Sequence, residues 1–204
     1  MKLVVPKELN ENESRVSITP DIIPSLIKMG FKVVVQSNAG LGSSYTDDNY
    51  KKSGAVISSK LNELYSKADL VIKVQRPSKH KQIDEFKFLK NCNLITLLYE
   101  QKFKTEFSFL KKLNINVFAL EKMPRISRAQ SMDVLSSQSN LSGYKAVIDA
   151  ACLFNKAFPL MMTSAGTVAP AKVLVIGAGV AGLQAIATAK RLVAVVSSFD
   201  VRAS

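Results

Sequence analysis

Apolar positions along this chain fall into short runs of two periods. Residues 2–5, 32–36, 55–57, 70–74, 94–98 and 116–120 are β-branched or otherwise apolar runs of strand length. Between them, residues 20–29, 60–66 and 105–113 carry apolar side chains at helical spacing. Thr19 followed by Pro20 reads as an N-cap with proline at the first helical position, and Gly30 as the stop of that helix. Strands alternating with helices predict a mostly parallel sheet covered on both faces, so that residues 1–120 or so form an α/β domain. A polar loop at 123–133 and a long helix at 134–158 come next, and after Pro159 the small-residue stretch 163–170 hands the chain onward.

The last segment carries the chemistry. In Lys172-Val-Leu-Val-Ile-Gly177-Ala-Gly179-Val-Ala-Gly182 a buried strand runs into Gly-x-Gly-x-x-Gly; a helix pattern follows, and Val195-Val-Ser-Ser-Phe-Asp200 closes a second strand on an acid. That is the order of a dinucleotide-binding βαβ unit. Gly177 makes the tight turn, Gly179 lets backbone approach a pyrophosphate, and Gly182 lets helix and strand pack closely. The phosphates would meet unpaired N–H groups and the positive end of the helix dipole at Val180. Asp200, 18 residues beyond Gly182, suits the hydroxyls of an adenosine ribose and favours NAD over NADP, although Arg202 could blur that choice by swinging toward the ribose. A membrane span is the competing reading, because 173–189 carries no charge and Ala178 and Gly182 are spaced like a small-residue packing motif. Seventeen residues is the short limit for a span, and the glycines crowd one end. The expected architecture is therefore α/β, with two Rossmann-like parallel-sheet domains, the second incomplete. The expected organisation is an N-terminal α/β domain over 1–135, a connecting helix and linker over 136–170, and a first βαβ unit over 171–204.

Composition narrows the setting. A chain of 204 residues, 47% hydrophobic, can bury a sizeable core. Cys92 and Cys152 have no metal-ligand spacing and read as reduced packing residues of a cytosolic protein; no metal site is expected, and no signal peptide precedes Val4. The net charge of +12 comes from scattered lysines without an aromatic-interleaved stripe, which argues against nucleic-acid binding and for solvated surface with some cofactor attraction.

Pro6-Lys-Glu, Arg15-Val with Thr19-Pro20, Met123-Pro-Arg-Ile-Ser-Arg-Ala-Gln-Ser-Met-Asp133, Gln138-Ser-Asn-Leu-Ser-Gly-Tyr144, Ala165-Gly-Thr-Val and the glycine run through Leu192 together resemble the alanine dehydrogenase/transhydrogenase family. Within it, they resemble the NAD(H)-binding α subunits of proton-translocating NAD(P) transhydrogenases. The resemblance covers the whole chain, and the loop from Pro124 to Asp133 is more specific than the glycines. It implies that Arg125, Gln130, Asp133 and Ser136 hold the nicotinamide side of NAD(H) for direct hydride transfer to NADP(H) on a partner domain. It further implies that Gln130, Ser131, Met132, Asp133, Gly177, Gly179, Val180, Gly182, Asp200, Val201 and Arg202 bind the dinucleotide. An arginine fork and a glutamine amide suit a ring that bears an amide. Read without the resemblance, Arg125 and Arg128 are ordinary loop cations and Asp133 caps the helix that follows.

The same resemblance implies NADP-binding and membrane-spanning partner components, a homodimer, no span in this chain, and a cytoplasmic location at the face of a membrane complex. It implies a chain longer than this one, because a dinucleotide needs two mononucleotide halves and the sequence stops four residues after Asp200. It also marks a departure: Val193 stands where the family usually places glycine, which predicts strain in a left-handed turn. Two other readings remain. One is an alanine dehydrogenase, kept alive by Arg15 and Lys73, which match that enzyme's carboxylate-binding cations. Against it, Tyr99 occupies the segment where such an enzyme keeps its histidine, and His80, in Lys79-His-Lys81, reads as part of a solvated turn. The other is an inactive NAD-binding fragment.

Overall fold

The computed structural model describes residues 1–80 and 83–202, which divide into two compact units, Met1–Pro124 and Arg125–Ser204. In the first unit the elements run β1 (Lys2–Val5), α1 (Ile23–Lys28), β2 (Lys32–Gln36), α2 (Asp47–Lys52), β3 (Val56–Ser58), α3 (Leu61–Tyr65), β4 (Leu70–Gln75), the two-residue strands β5 (Lys79–His80) and β6 (Ile83–Asp84), β7 (Asn93–Leu97), α4 (Lys104–Lys111) and β8 (Asn116–Ala119). Six strands form one wholly parallel sheet in the order β3-β2-β1-β4-β7-β8. Every predicted strand is present, within one residue at each end.

Alternation of side chains across the pleat sorts the strand residues into two cores. Leu3, Val5, Val33 and Val35 pack with Ile23 of α1 and Tyr50 of α2; Val4, Val34, Val71 and Leu94 pack with Leu64 of α3 and Leu110 of α4. Two covered faces explain why the strands read as continuous apolar runs. The strand order reverses between β1 and β4, so their carboxyl ends flank the crevice where open α/β sheets present ligands.

Thr19 is extended and Pro20 opens a 3-10 turn ahead of α1, but the Thr19 side chain makes no capping bond, so the expected cap is only a matter of backbone shape. Gly30 ends the helix at φ +88°. Helix α2 has no counterpart in the pattern of apolar positions. His80 pairs with Ile83 in a small antiparallel hairpin and is half-buried rather than in an open turn; Lys81 lies outside the described residues.

The second unit runs α5 (Val134–Leu153), β9 (Met161–Thr163), β10 (Gly166–Val168), β11 (Lys172–Ile176), α6 (Val180–Arg191) and β12 (Val195–Phe199), after a 3-10 segment over Ser127–Met132 inside the stretch read as a loop. Helix α5 ends at Leu153, not at 158, because Pro159 disfavours helical backbone just before it and Phe154 turns out to meet the Phe158 ring edge-on. The small-residue stretch that follows is a β9–β10 hairpin. Cys92 is buried as expected, but Cys152 is exposed near the end of α5 and packs nothing. Strands β11 and β12 pair in parallel around α6, which makes one βαβ unit. Helix α6 is only 12 residues long, and among the described residues no helix is long and apolar enough to cross a membrane.

Helix α6 closes with the Ala194 N–H donating to Ala189 O and the Val193 N–H to Lys190 O, a double-bonded C-terminal motif that puts Val193 at φ +61°. A β-branched residue there is strained. Val193→Gly is expected to stabilise the fold by about 1 kcal/mol, the relief of a left-handed valine less the extra chain entropy of glycine. Chemical denaturation of the two proteins checks it; a loss of stability would show that the turn carries no strain.

Candidate functional site

The glycine turn in the second unit is built by its backbone. Gly177 follows β11 at φ +99°, and its N–H donates to Phe199 O at 2.6 Å, tying the turn to β12. Gly179 is the extended N-cap of α6, and its carbonyl accepts from the Leu183 N–H at 2.8 Å. A Cβ on Gly182 would lie 1.8 Å from Gly177 O, so the first turn of α6 sits directly on the glycine turn. A Cβ on Gly179 would meet nothing nearer than Arg202 Nη2 at 3.8 Å, so the space above that glycine is open to a ligand. The three tasks read from the spacing are thus realised in the backbone.

A cleft of about 400 Å³ opens on this turn, and its lining includes Arg125, Ser136, Gly177, Gly179, Val180 and Gly182. Ser139 and Leu135 also line it. Neither was singled out by sequence, although Ser139 stands four residues before Gly143 on α5. Gly143 is the other missed residue: a Cβ there would lie 2.1 Å from Ala181 O, so α5 crosses α6 at backbone contact. The small-residue spacing of Ser139 and Gly143 was the available signal.

The remaining predicted residues are placed as follows. Gln130, Ser131 and Met132 lie in the 3-10 segment and are exposed. Asp133 caps α5: its carboxylate accepts from the Ser136 N–H at 3.0 Å and from the Ser136 hydroxyl at 2.7 Å. These bonds, with the nearby Arg125 charge, hold the Asp133 carboxyl below its ordinary range. The capping reading of Asp133 therefore describes its position here, and Ser136 is joined to it. Asp200 turns toward the glycines, accepting from the Ala178 N–H at 2.7 Å and from Arg202 through the backbone N–H at 2.9 Å, Nε at 3.0 Å and Nη2 at 3.0 Å. Arg202 is the chief reason the Asp200 carboxyl is held well below the usual carboxylate range. Val201 is 88% exposed.

The first unit has a second polar cluster, at the carboxyl ends of β1 and β4. Glu8 follows β1, and its carboxylate accepts from the Val74 N–H at 2.7 Å and the Gln75 N–H at 3.3 Å. Lys73 of β4 is buried, with Nζ bonded to Glu85 and 3.7 Å from Glu8. Burial pushes the Glu8 carboxyl up, against the pull of Lys73. Arg15 is paired with Glu13 at 2.7 Å, and Glu13 also accepts from Gln75 Nε2 at 2.7 Å. The Arg15 bond brings the Glu13 carboxyl down to about 2. Both cations that suggested carboxylate binding are thus engaged by the protein's own carboxylates. Tyr99, beyond β7, has φ +49° and donates its N–H to Glu121. Among the described residues no cluster of His, Cys, Asp or Glu is placed to hold a metal ion.

Comparison with known proteins agrees with this division. Residues 4–142 match the family described as alanine dehydrogenase/PNT, N-terminal domain, and residues 146–204 match its C-terminal domain. The chain is 52% identical over 210 residues to an NAD(P) transhydrogenase subunit alpha of Rhodospirillum rubrum, covering 100% of this chain and 54% of that one. The crystal structure of transhydrogenase from Sinorhizobium meliloti superposes with a TM-score of 0.93 at 46% identity, over 99% of this chain and 57% of that one. An L-alanine dehydrogenase structure gives a TM-score of 0.84 at 26% identity, over 99% and 55%. The chain spans about half the length of the curated relatives it matches.

Proposed function

The chain belongs to the alanine dehydrogenase/PNT family, and from that premise we propose that it is the NAD(H)-binding portion of a transhydrogenase that passes hydride between NAD(H) and NADP(H) held by a partner. The observation that carries this reading is the glycine turn: an open space above Gly179, a helix N-terminus behind it and the Asp200 carboxylate at the end of β12. Pyrophosphate would lie at the N–H groups that open α6, and the adenosine ribose would donate to Asp200, with Val201 and Arg202 beside it. Arg125, Gln130, Ser131, Met132, Asp133 and Ser136 would hold the nicotinamide side, Arg125 and Ser136 from the cleft itself. When bound, the nicotinamide supplies the chemistry, two electrons and a proton leaving its C4 as hydride for the C4 of the oxidised ring. The chain's residues need only bind and aim that ring, since no substrate proton is taken. Coupling to proton movement would belong to membrane-spanning partner components, with this chain, as a homodimer, at the cytoplasmic face of the complex.

The alanine dehydrogenase reading is the second one, on the strength of the shared fold and of Arg15 and Lys73. The carboxylates of Glu13, Glu8 and Glu85 speak against it, because a substrate carboxylate would have to displace them. Titrating the chain into NADH is expected to give a saturable fluorescence change. Adding an NADP-binding transhydrogenase partner is expected to give NADPH-dependent reduction of NAD, and alanine none. Absence of saturable NADH binding sinks the proposal, and alanine-dependent formation of NADH would replace it with the second reading.

A further inference from the structure

Asp200 and Arg202 stand two residues apart, yet they form a bidentate pair that spans the mouth of the glycine turn. Both oxygens of Asp200 are occupied. Oδ1 accepts from the Arg202 N–H and Nε, and Oδ2 accepts from Arg202 Nη2 and the Ala178 N–H. A carboxylate offers about four acceptor positions, and four donors fill them here. The carboxylate is sheltered, with 16% of its side chain exposed, whereas the guanidinium is 72% exposed and reaches over Gly179.

We infer that this pair decides between dinucleotides with a free and with a phosphorylated adenosine ribose, Arg202 being a phosphate-binding cation that Asp200 keeps out of use. The inference rests on the glycine turn being a dinucleotide cradle. A ribose hydroxyl reaching Asp200 replaces one donor by another, so the carboxylate stays satisfied while one guanidinium N–H is displaced. A ribose 2′-phosphate brings no such replacement. It gains only by pulling the guanidinium fork away, and it then faces a sheltered carboxylate of its own sign that has lost two charge-assisted bonds. With the charge of Asp200 removed, the same guanidinium is unclaimed and lies within reach of the ribose edge, with a fork that matches phosphate.

The test is a set of fluorescence titrations with NADH and NADPH on the full chain, using the unmodified protein, Asp200→Asn, Arg202→Ala and the double variant. Asparagine keeps an oxygen for the Ala178 N–H, so the glycine turn is retained. Asp200→Ser is the alternative should the amide not fold. The unmodified chain is expected to prefer NADH by about tenfold or more, the worth of one charge-assisted interaction. Asp200→Asn is expected to raise NADPH affinity by about tenfold, and Arg202→Ala in that background to withdraw the gain. Arg202→Ala alone is expected to weaken NADPH further and leave the preference for NADH at least as strong. An Asp200→Asn gain that survives loss of Arg202, or no gain at all, overturns the inference while leaving the cradle intact. An unmodified chain that binds neither nucleotide overturns the cradle reading itself, and the inference with it.

Discussion

Gly182→Ala is expected to abolish dinucleotide binding and to destabilise the second unit by about 3 kcal/mol, the upper range for forcing an extra carbon into a packed interior. The added carbon would sit 1.8 Å from Gly177 O and 2.8 Å from Gly177 C, and both are backbone atoms that no rotamer change can move. Relief requires α6 to lift from the glycine turn, which scatters the N–H groups that would receive a pyrophosphate. Two neighbours separate folding from binding. Gly177→Ala meets no atom within 4 Å but must hold φ +99°, so its cost is conformational, about 1–3 kcal/mol. Gly179→Ala has ordinary backbone angles and 3.8 Å of clearance, so it should fold normally and still lose affinity, because its methyl group would occupy the space over the turn. Thermal unfolding with parallel NADH titrations checks all three. A Gly182→Ala protein with native stability and affinity would refute the close packing of helix and turn.

The contrast between what the sequence made legible and what it did not follows the range of the interactions. Parallel strands buried on both faces must be apolar throughout, so β1, β2 and β4 announce themselves. The three glycine tasks are backbone properties of single positions, which is why spacing alone located them. Helix α2 escaped because Tyr50 is its one buried residue and its start signal is a capping box with Asn49, where glutamate or glutamine is the usual mark. The β9–β10 hairpin buries none of its strand residues, so no apolar alternation betrays it. In the candidate site, what stayed hidden was pairing. Asp133 could be read as ligand or cap, and only the Ser136 bonds place it as the cap. Arg202 was visible as a cation near the ribose, but not as the partner that fills Asp200. The Glu8, Lys73 and Glu85 cluster joins segments far apart in the chain, and no local pattern records which carboxylate a buried lysine will meet.

That cluster gives the second large effect. Lys73→Met is expected to destabilise the first unit by about 3–5 kcal/mol, the usual result of removing one member of a buried ionic group and leaving its partners uncompensated. Glu8 and Glu85 are almost fully buried, and with Lys73 gone no cation offsets their charge at the crevice between β1 and β4. The loss should depend on pH in a defined direction. Burial already raises the Glu8 carboxyl above its ordinary 4.5, and deleting the lysine removes the charge that opposes this shift. The folded variant then holds a proton that the unfolded chain has given up, so its stability falls as pH rises from about 4.5 through the raised folded value. At pH below 4.5 both states are protonated at Glu8 and that part of the deficit disappears. Lys73→Met combined with Glu8→Gln and Glu85→Gln removes the uncompensated charges and should recover most of the stability, since neutral replacements of buried ionic groups are often tolerated. Denaturant unfolding of the three proteins across pH reads these differences. If Lys73 were instead a free cation waiting for a substrate carboxylate, Lys73→Met would leave stability unchanged at every pH, and the cluster could not be what closes this crevice.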